Sequence, residues 1–240
     1  MQLALAGHDF APAQPLDEDI RLAAITGYPW LVVDHAKYQR FLAQPEFDIR
    51  DLKRLFLRTQ PAAIDGLTLP DSDPAHAPQL EALCKEARRL GAPVLVLRIA
   101  QPDERIRELA EVAQRWSTVL ALASPSFATV RALVQQANHD ALGWYVDTVA
   151  LWHAGEQLQP QDAARTVLLA VGDEDAQGKR CLPGVGSLPL AELLRPLLVG
   201  GYDGIAVLTT EPGLDENSAR SGYEALQQQL KQIGWRVSRE

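Results

Sequence analysis

The feature that most constrains this chain is an alternation. Short, β-rich apolar runs recur along it, each followed by a stretch whose apolar residues return three and four positions apart. Eight such units can be drawn, with strands at QLALAG (from Gln2), WLVVD (Trp30), AIDGLTL (Ala63), PVLVLRI (Pro93), TVLALA (Thr118), GWYVDT (Gly143), TVLLAV (Thr166) and GIAVLT (Gly204). Most are continuous apolar runs, the pattern of strands covered on both faces, by a filled barrel interior and by outer helices. DEDIRLAAITG has acids in its first turn and Gly27 after its last, and HAPQLEALCKEARRLG ends on Arg88 and Arg89 before Gly91, so both read as helices. DERIRELAEVAQRW, SFATVRALVQQAN, LPLAELLRPLLVGG and SARSGYEALQQQLKQIGW share the helical period. Between the sixth and seventh strands a short helix is expected from PQDAARTV. AGHDFAPA follows the first strand where a dinucleotide-binding sheet would show GxGxxG. The expectation is therefore an α/β chain forming one domain over residues 1–240, a single (β/α)8 TIM barrel.

Composition narrows the function. Hydrophobic residues at 47% and charged residues at 22% suit a globular protein and exclude a coiled coil. A net charge of −8 without a Lys/Arg-rich run argues against nucleic acid as a partner. No run approaches a membrane span, and Met1 to Leu5 lacks the basic flank of a secretion signal, so the expected setting is cytoplasmic, with no membrane association. Cys84 and Cys181 lie far apart and form no CxxC pair, which points to neither a disulfide framework nor a zinc knuckle. Cys84 reads as packing, and Cys181 would be reactive only with a lowered pKa. The leucines of LPLAELLRPLLVGG read first as core and leave a homo-oligomer open.

In a barrel of this kind the functional face is the C-terminal end of the strands. The residues there are His8 and Asp9; Asp34 and His35; Asp71; Arg98 and Gln101; Ala123 and Ser124; Asp147; Ala170 and Asp173; and Thr209, Thr210 and Glu211. Turn chemistry accounts for any one of them alone.

Four stretches carry a resemblance: GYPWLVVD, RRLGAPVLVLR, GWYVDT and VGDEDAQGKRCLPGVGSLPLAELLRPLLVGGYDGIAVL. In the last, Pro183, Gly184 and Gly186 match a Pro-Gly-x-Gly loop, and Gly201, Tyr202 and Gly204 match a Gly-Tyr-x-Gly turn. On these the chain resembles the sugar phosphate isomerase/epimerase group, the xylose isomerase-like TIM barrels. The resemblance implies a divalent metal held by Glu, Asp, His and Glu at the ends of the fifth to eighth strands, where hard ligands fix an ion that polarises a substrate carbonyl. Position by position, this chain has Ala123, Asp147, Ala170 and Thr209. Asp147 is the one ligand left. A single carboxylate leaves an ion nearly all its waters, so the expectation is no metal and no cofactor. A register slip bringing in Glu211 or His153 is the way a metal would return.

Asp147 is then expected to face the mouth as an acceptor for a ligand or a cation, with Asp173 as the second candidate catalytic residue. Arg180, which precedes the Pro-Gly-x-Gly loop much as a substrate-contacting arginine does in the family, and Arg98 are the candidate ligand-binding cations. His8, Asp34 and His153 complete the candidate binding set. The functional expectation is a barrel that has lost most metal ligands and binds a small polar molecule, sugar- or acid-like, or a partner. The alternative is an active isomerase or epimerase working by proton transfer.

Overall fold

A computed structural model of the chain describes residues 1–45, 47–68, 76–99 and 105–238. Among these, eight parallel strands close into a barrel: β1 (Gln2–Ala6), β2 (Trp30–Asp34), β3 (Gln60–Thr68), β4 (Val94–Arg98), β5 (Val119–Ala123), β6 (Leu142–Asp147), β7 (Thr166–Val171) and, after a two-stranded hairpin of β8 (Asp173–Glu174) and β9 (Arg180–Cys181), β10 (Ile205–Leu208). Closure comes from β10, which pairs with β1 on one side (Leu3 opposite Ala206) and with β7 on the other (Val207 opposite Ala170). The expected (β/α)8 barrel is the fold found.

The outer layer follows the expected helices, α1 (Leu16–Thr26), α4 (His76–Leu90), α5 (Ile106–Arg115), α6 (Phe127–Ala137), α8 (Leu190–Val199) and α9 (Glu216–Ile233). Two connections differ. After β2 the chain forms α2 (His35–Leu42) and α3 (Ile49–Leu55), each under three turns, where one helical stretch without stated bounds was expected. After β6 the helix is α7 (Thr148–Ala154), and PQDAAR is a 3-10 turn over Pro160–Arg165 rather than that unit's principal helix. Asp147 begins α7 because its Oδ1 accepts the backbone N–H of Val149 (2.9 Å) and Ala150 (3.2 Å), two donors that the first turn otherwise leaves unpaired. No helix among the described residues is long and apolar enough to cross a membrane.

Strand alternation separates two buried layers. Leu3, Leu5, Leu31, Val33, Leu95 and Leu97 face the helices, whereas Ala4, Ala6, Val32, Ala63, Val94, Val96, Ala121, Leu168 and Val207 fill the interior. Small residues dominate the interior because eight strands leave little room at the axis. Tyr145 belongs to that inner cluster and sits toward the mouth.

Candidate functional site at the barrel mouth

The inward phase of each strand, carried two residues past the core, sets what reaches the mouth. Ala6 leads to His8, Val32 to Asp34, Ala63 to Asp65, Val96 to Arg98, Tyr145 to Asp147, and Val207 to Thr209. On β5 and β7 the same phase delivers Ala123 and Ala170, which add no polar group. The result is two adjoining depressions of about 430 and 410 Å³ that share Arg98, Tyr145, Asp147 and Arg180.

Two guanidinium–carboxylate pairs line the mouth with the tyrosine. Arg98 grips Asp65 with both arms of its fork, Nε to Oδ1 at 3.2 Å and Nη2 to Oδ2 at 2.7 Å. Asp65 is only 1% exposed, and its Oδ1 also accepts the Gly66 N–H at 2.5 Å. Arg180 reaches back from β9, Nη2 donating to Asp147 Oδ2 at 2.8 Å and Nη1 to Thr209 Oγ1 at 3.2 Å. Burial lowers the pKa of each guanidinium, but the neighbouring carboxylates, led by Asp65 for Arg98 and by Asp147 for Arg180, more than offset it. Both remain cations.

His8 lies between carboxylates, Nδ1 3.5 Å from Asp65 and Nε2 3.4 Å from Asp9. Burial holds its pKa below the ordinary imidazole value; Asp65 opposes this and Arg98 adds to it. Asp9 is pushed well above the usual carboxylate range by burial, although the Thr210 N–H, 2.8 Å from its Oδ2, works against that. Burial also raises the Tyr145 phenol well above its normal pKa, with Asp65 and Asp147 contributing, so the hydroxyl stays protonated. Beneath His8, Lys37 fixes the exit of β1 by donating to the Gly7 carbonyl (3.1 Å) and to buried Asp19 (2.7 Å).

Of the residues expected from sequence, His8, Asp34, Arg98, Asp147 and Arg180 converge here. Asp34 uses Oδ1 to cap α2 through the Lys37 N–H at 2.8 Å. Asp173 does not join them. It is 1% exposed, and its carboxylate accepts the N–H groups of Glu174, Gly184, Gly186 and Leu188, two on each oxygen, so it anchors the Pro-Gly-x-Gly loop instead of facing a ligand. His153 is also elsewhere, 59% exposed by side chain in the last turn of α7, with Nε2 2.6 Å from Glu174. Glu211 accepts the Arg180 backbone N–H at 3.2 Å. Asp71 and Gln101 lie outside the described residues. Burial chiefly raises the Cys181 thiol's pKa, with Asp173 adding to it, so it lacks the lowered pKa of a reactive cysteine.

Sequence reasoning missed Asp65 and Tyr145. AIDGLTL reads as one strand running past Asp65, but pairing with β4 shifts between Ile64 and Leu67, and Gly66 takes a left-handed φ of +97°. An Asp-Gly step inside an apolar run is the available signal for such a bulge. Tyr145 shares the inward phase of Asp147, two residues on.

A divalent ion of the kind the fold family implies does not fit these residues. Asp147 spends one oxygen on α7 and the other on Arg180, while Ala123 and Ala170 offer no donor. Among the described residues no group of three or more His, Cys, Asp or Glu is arranged to hold a metal.

No family model matches the chain. One curated relative, named "Putative hydroxypyruvate isomerase" and from Streptomyces coelicolor, is 30% identical over 162 residues, which is 66% of this chain and 52% of the relative. The chain thus spans about half the length of the curated relative it matches. Solved structures that share the fold include the IOLI protein with a zinc atom (TM-score 0.82, 15% identity, covering 97% of this chain and 98% of that one). A xylose isomerase domain protein from Alicyclobacillus acidocaldarius gives 0.79 at 23% identity, covering 98% and 100%. The D-psicose 3-epimerase from Clostridium cellulolyticum H10 gives 0.75 at 15%, covering 97% and 99%.

Proposed function

The chain has the xylose isomerase-like TIM-barrel fold, and from that premise we propose that its mouth binds a small polyhydroxy carbonyl compound of sugar type. The supporting observation is the pair of ion pairs, Arg98–Asp65 and Arg180–Asp147, that line one depression together with Tyr145. The part-exposed Arg98, Arg180 and Asp147 side chains present fixed donors beside an acceptor, the pattern that adjacent hydroxyl and carbonyl groups of a sugar complement. Charge favours a ligand of low charge. Two guanidinium groups face Asp34, Asp65 and Asp147, a small negative excess that disfavours a phosphate dianion. The depressions have the size of small-molecule sites, roughly 300–1,000 Å³. The curated relative's name points the same way, because hydroxypyruvate is a hydroxy-carbonyl compound whose single carboxylate is within the capacity of one guanidinium.

His8 favours a second reading, an isomerase or epimerase. An imidazole kept neutral by burial can take the proton from the hydroxyl-bearing carbon beside a ligand carbonyl, leaving an enediolate whose oxygen charge an arginine N–H steadies. Delivery of that proton to the former carbonyl carbon, with the hydroxyl proton passing to the former carbonyl oxygen, completes an isomerisation.

Calorimetric titration with neutral trioses to hexoses, hydroxypyruvate and their phosphorylated counterparts tests the binding. Neutral or singly charged compounds should bind, and Arg98→Met should weaken them about tenfold or more, the loss of one charged hydrogen bond. Binding of phosphorylated compounds alone would sink the proposal. Deuterium exchange from solvent into a bound ligand, lost in His8→Asn, would select the enzymatic reading.

A further inference from the structure

We infer that the Arg180 guanidinium occupies the place of the divalent ion, as a cation built into the chain. Two of the four ligand positions that the family resemblance marks, Asp147 and Thr209, are the two side chains this guanidinium holds, at 2.8 and 3.2 Å. The other two, Ala123 and Ala170, are alanines packed in the interior, so nothing competes with arginine for that point. The backbone beside it is shaped to let the side chain through. A Cβ on Gly172 would stand 2.8 Å from the Thr209 carbonyl oxygen, 2.9 Å from Thr209 Oγ1 and 3.5 Å from Arg180 Nη1. That glycine leaves the lane open. The guanidinium is also delivered by a braced element. The β8–β9 hairpin pairs Glu174 with Arg180, the Asp173 carboxylate ties its first strand to the loop beyond, and Glu211 accepts the Arg180 N–H from the β10 side.

The substitution has chemical consequences. A guanidinium keeps its charge at every physiological pH, donates hydrogen bonds in a plane and offers no open coordination position. It can hold a ligand's carbonyl or hydroxyl oxygen, and it repels a second cation from the same point. Arg180 lines both depressions, so a ligand in either would lie against it. The inference concerns the cation alone and stands whatever the ligand proves to be.

The test uses zinc or manganese salt alone as the probe, read by calorimetry and by metal content after gel filtration, with thermal melts confirming that each protein is folded. The wild-type chain should show no stoichiometric site. Ala123→Glu, Ala170→His and Thr209→Glu made together should still bind metal poorly while Arg180 remains. Adding Arg180→Met should tighten binding by more than about 100-fold, beyond what changes in supporting residues around a metal usually produce. Should the larger set misfold, Ala170→His with Thr209→Glu, which leave three candidate ligands with Asp147, give a second comparison: metal binding should appear when Arg180→Met is added and stay absent when Arg180→Lys is added instead. The inference is overturned if wild-type protein takes up one metal ion that Asp147→Asn abolishes, or if the three installed ligands bind metal equally with and without Arg180.

Discussion

At the scale of single residues, two aspartates at neighbouring strand ends perform different work. Asp147 divides its carboxylate between the first turn of α7 and Arg180 at the rim of the mouth. Asp173 gives both oxygens to four backbone N–H groups inside the protein. Asparagine at 147 keeps an oxygen able to cap the helix, so Asp147→Asn should cost about 1 kcal/mol or less, and Asp147→Ala should cost roughly 1–2 kcal/mol through the lost cap. At 173 the amide nitrogen of asparagine would meet two donors with no acceptor. Two hydrogen bonds to a charged group are lost, so Asp173→Asn should cost about 3 kcal/mol or more. Urea denaturation of the three variants checks the order, and an Asp173→Asn protein as stable as Asp147→Asn would contradict the anchoring role.

Among elements, the small β8–β9 hairpin matters most, because it brings Arg180 back over the barrel. Its return depends on Gly186. A Cβ there would lie 2.3 Å from the Glu174 carbonyl oxygen and 2.4 Å from Asp173 Oδ1, inside the packed loop. Gly186→Ala should therefore destabilise the protein by about 1–3 kcal/mol, the usual penalty for overpacking. It should also loosen the hairpin, seen as faster backbone hydrogen exchange at Glu174 and Arg180. Unchanged exchange would mean that the loop yields without moving Arg180. The hairpin was not legible in the sequence, since two residues per strand in a charged stretch show no alternation. The division of the second unit's helical stretch into short α2 and α3 was not legible for a related reason: seven or eight residues barely repeat a 3.6-residue period, and Pro45 interrupts them.

For the whole molecule, burying a neutral histidine links folding to pH. The pKa of His8 is lowered on folding, so below its unfolded value of about 6.5 the unfolded chain binds a proton that the folded protein resists. Its contribution to stability is present above that pH and is lost as pH falls toward the folded value. Half-buried His35 shifts in the same direction, mainly by burial, whereas buried Asp9 is raised and favours the folded state toward acid. Comparing wild type with His8→Asn isolates the histidine: between pH 7 and 5 the wild type should lose more stability than the variant. Parallel pH profiles would show that His8 protonates freely in the fold.

The sequence by itself determined the eight strands, their order and their inward phase. Continuous apolar runs cannot be satisfied without cover on both faces, and a period of two assigns each strand-end residue to the mouth or to the helices. His8, Asp34, Arg98, Asp147 and the alanines at 123 and 170 follow from that local rule. Only the tertiary structure decided which of them meet. Arg98 finds Asp65, and Arg180 finds Asp147, each across 33 residues. Those distances are set by the bulge at Gly66, by barrel closure between β1 and β10, and by a hairpin folding back over the rim, and none of these has a local period to read.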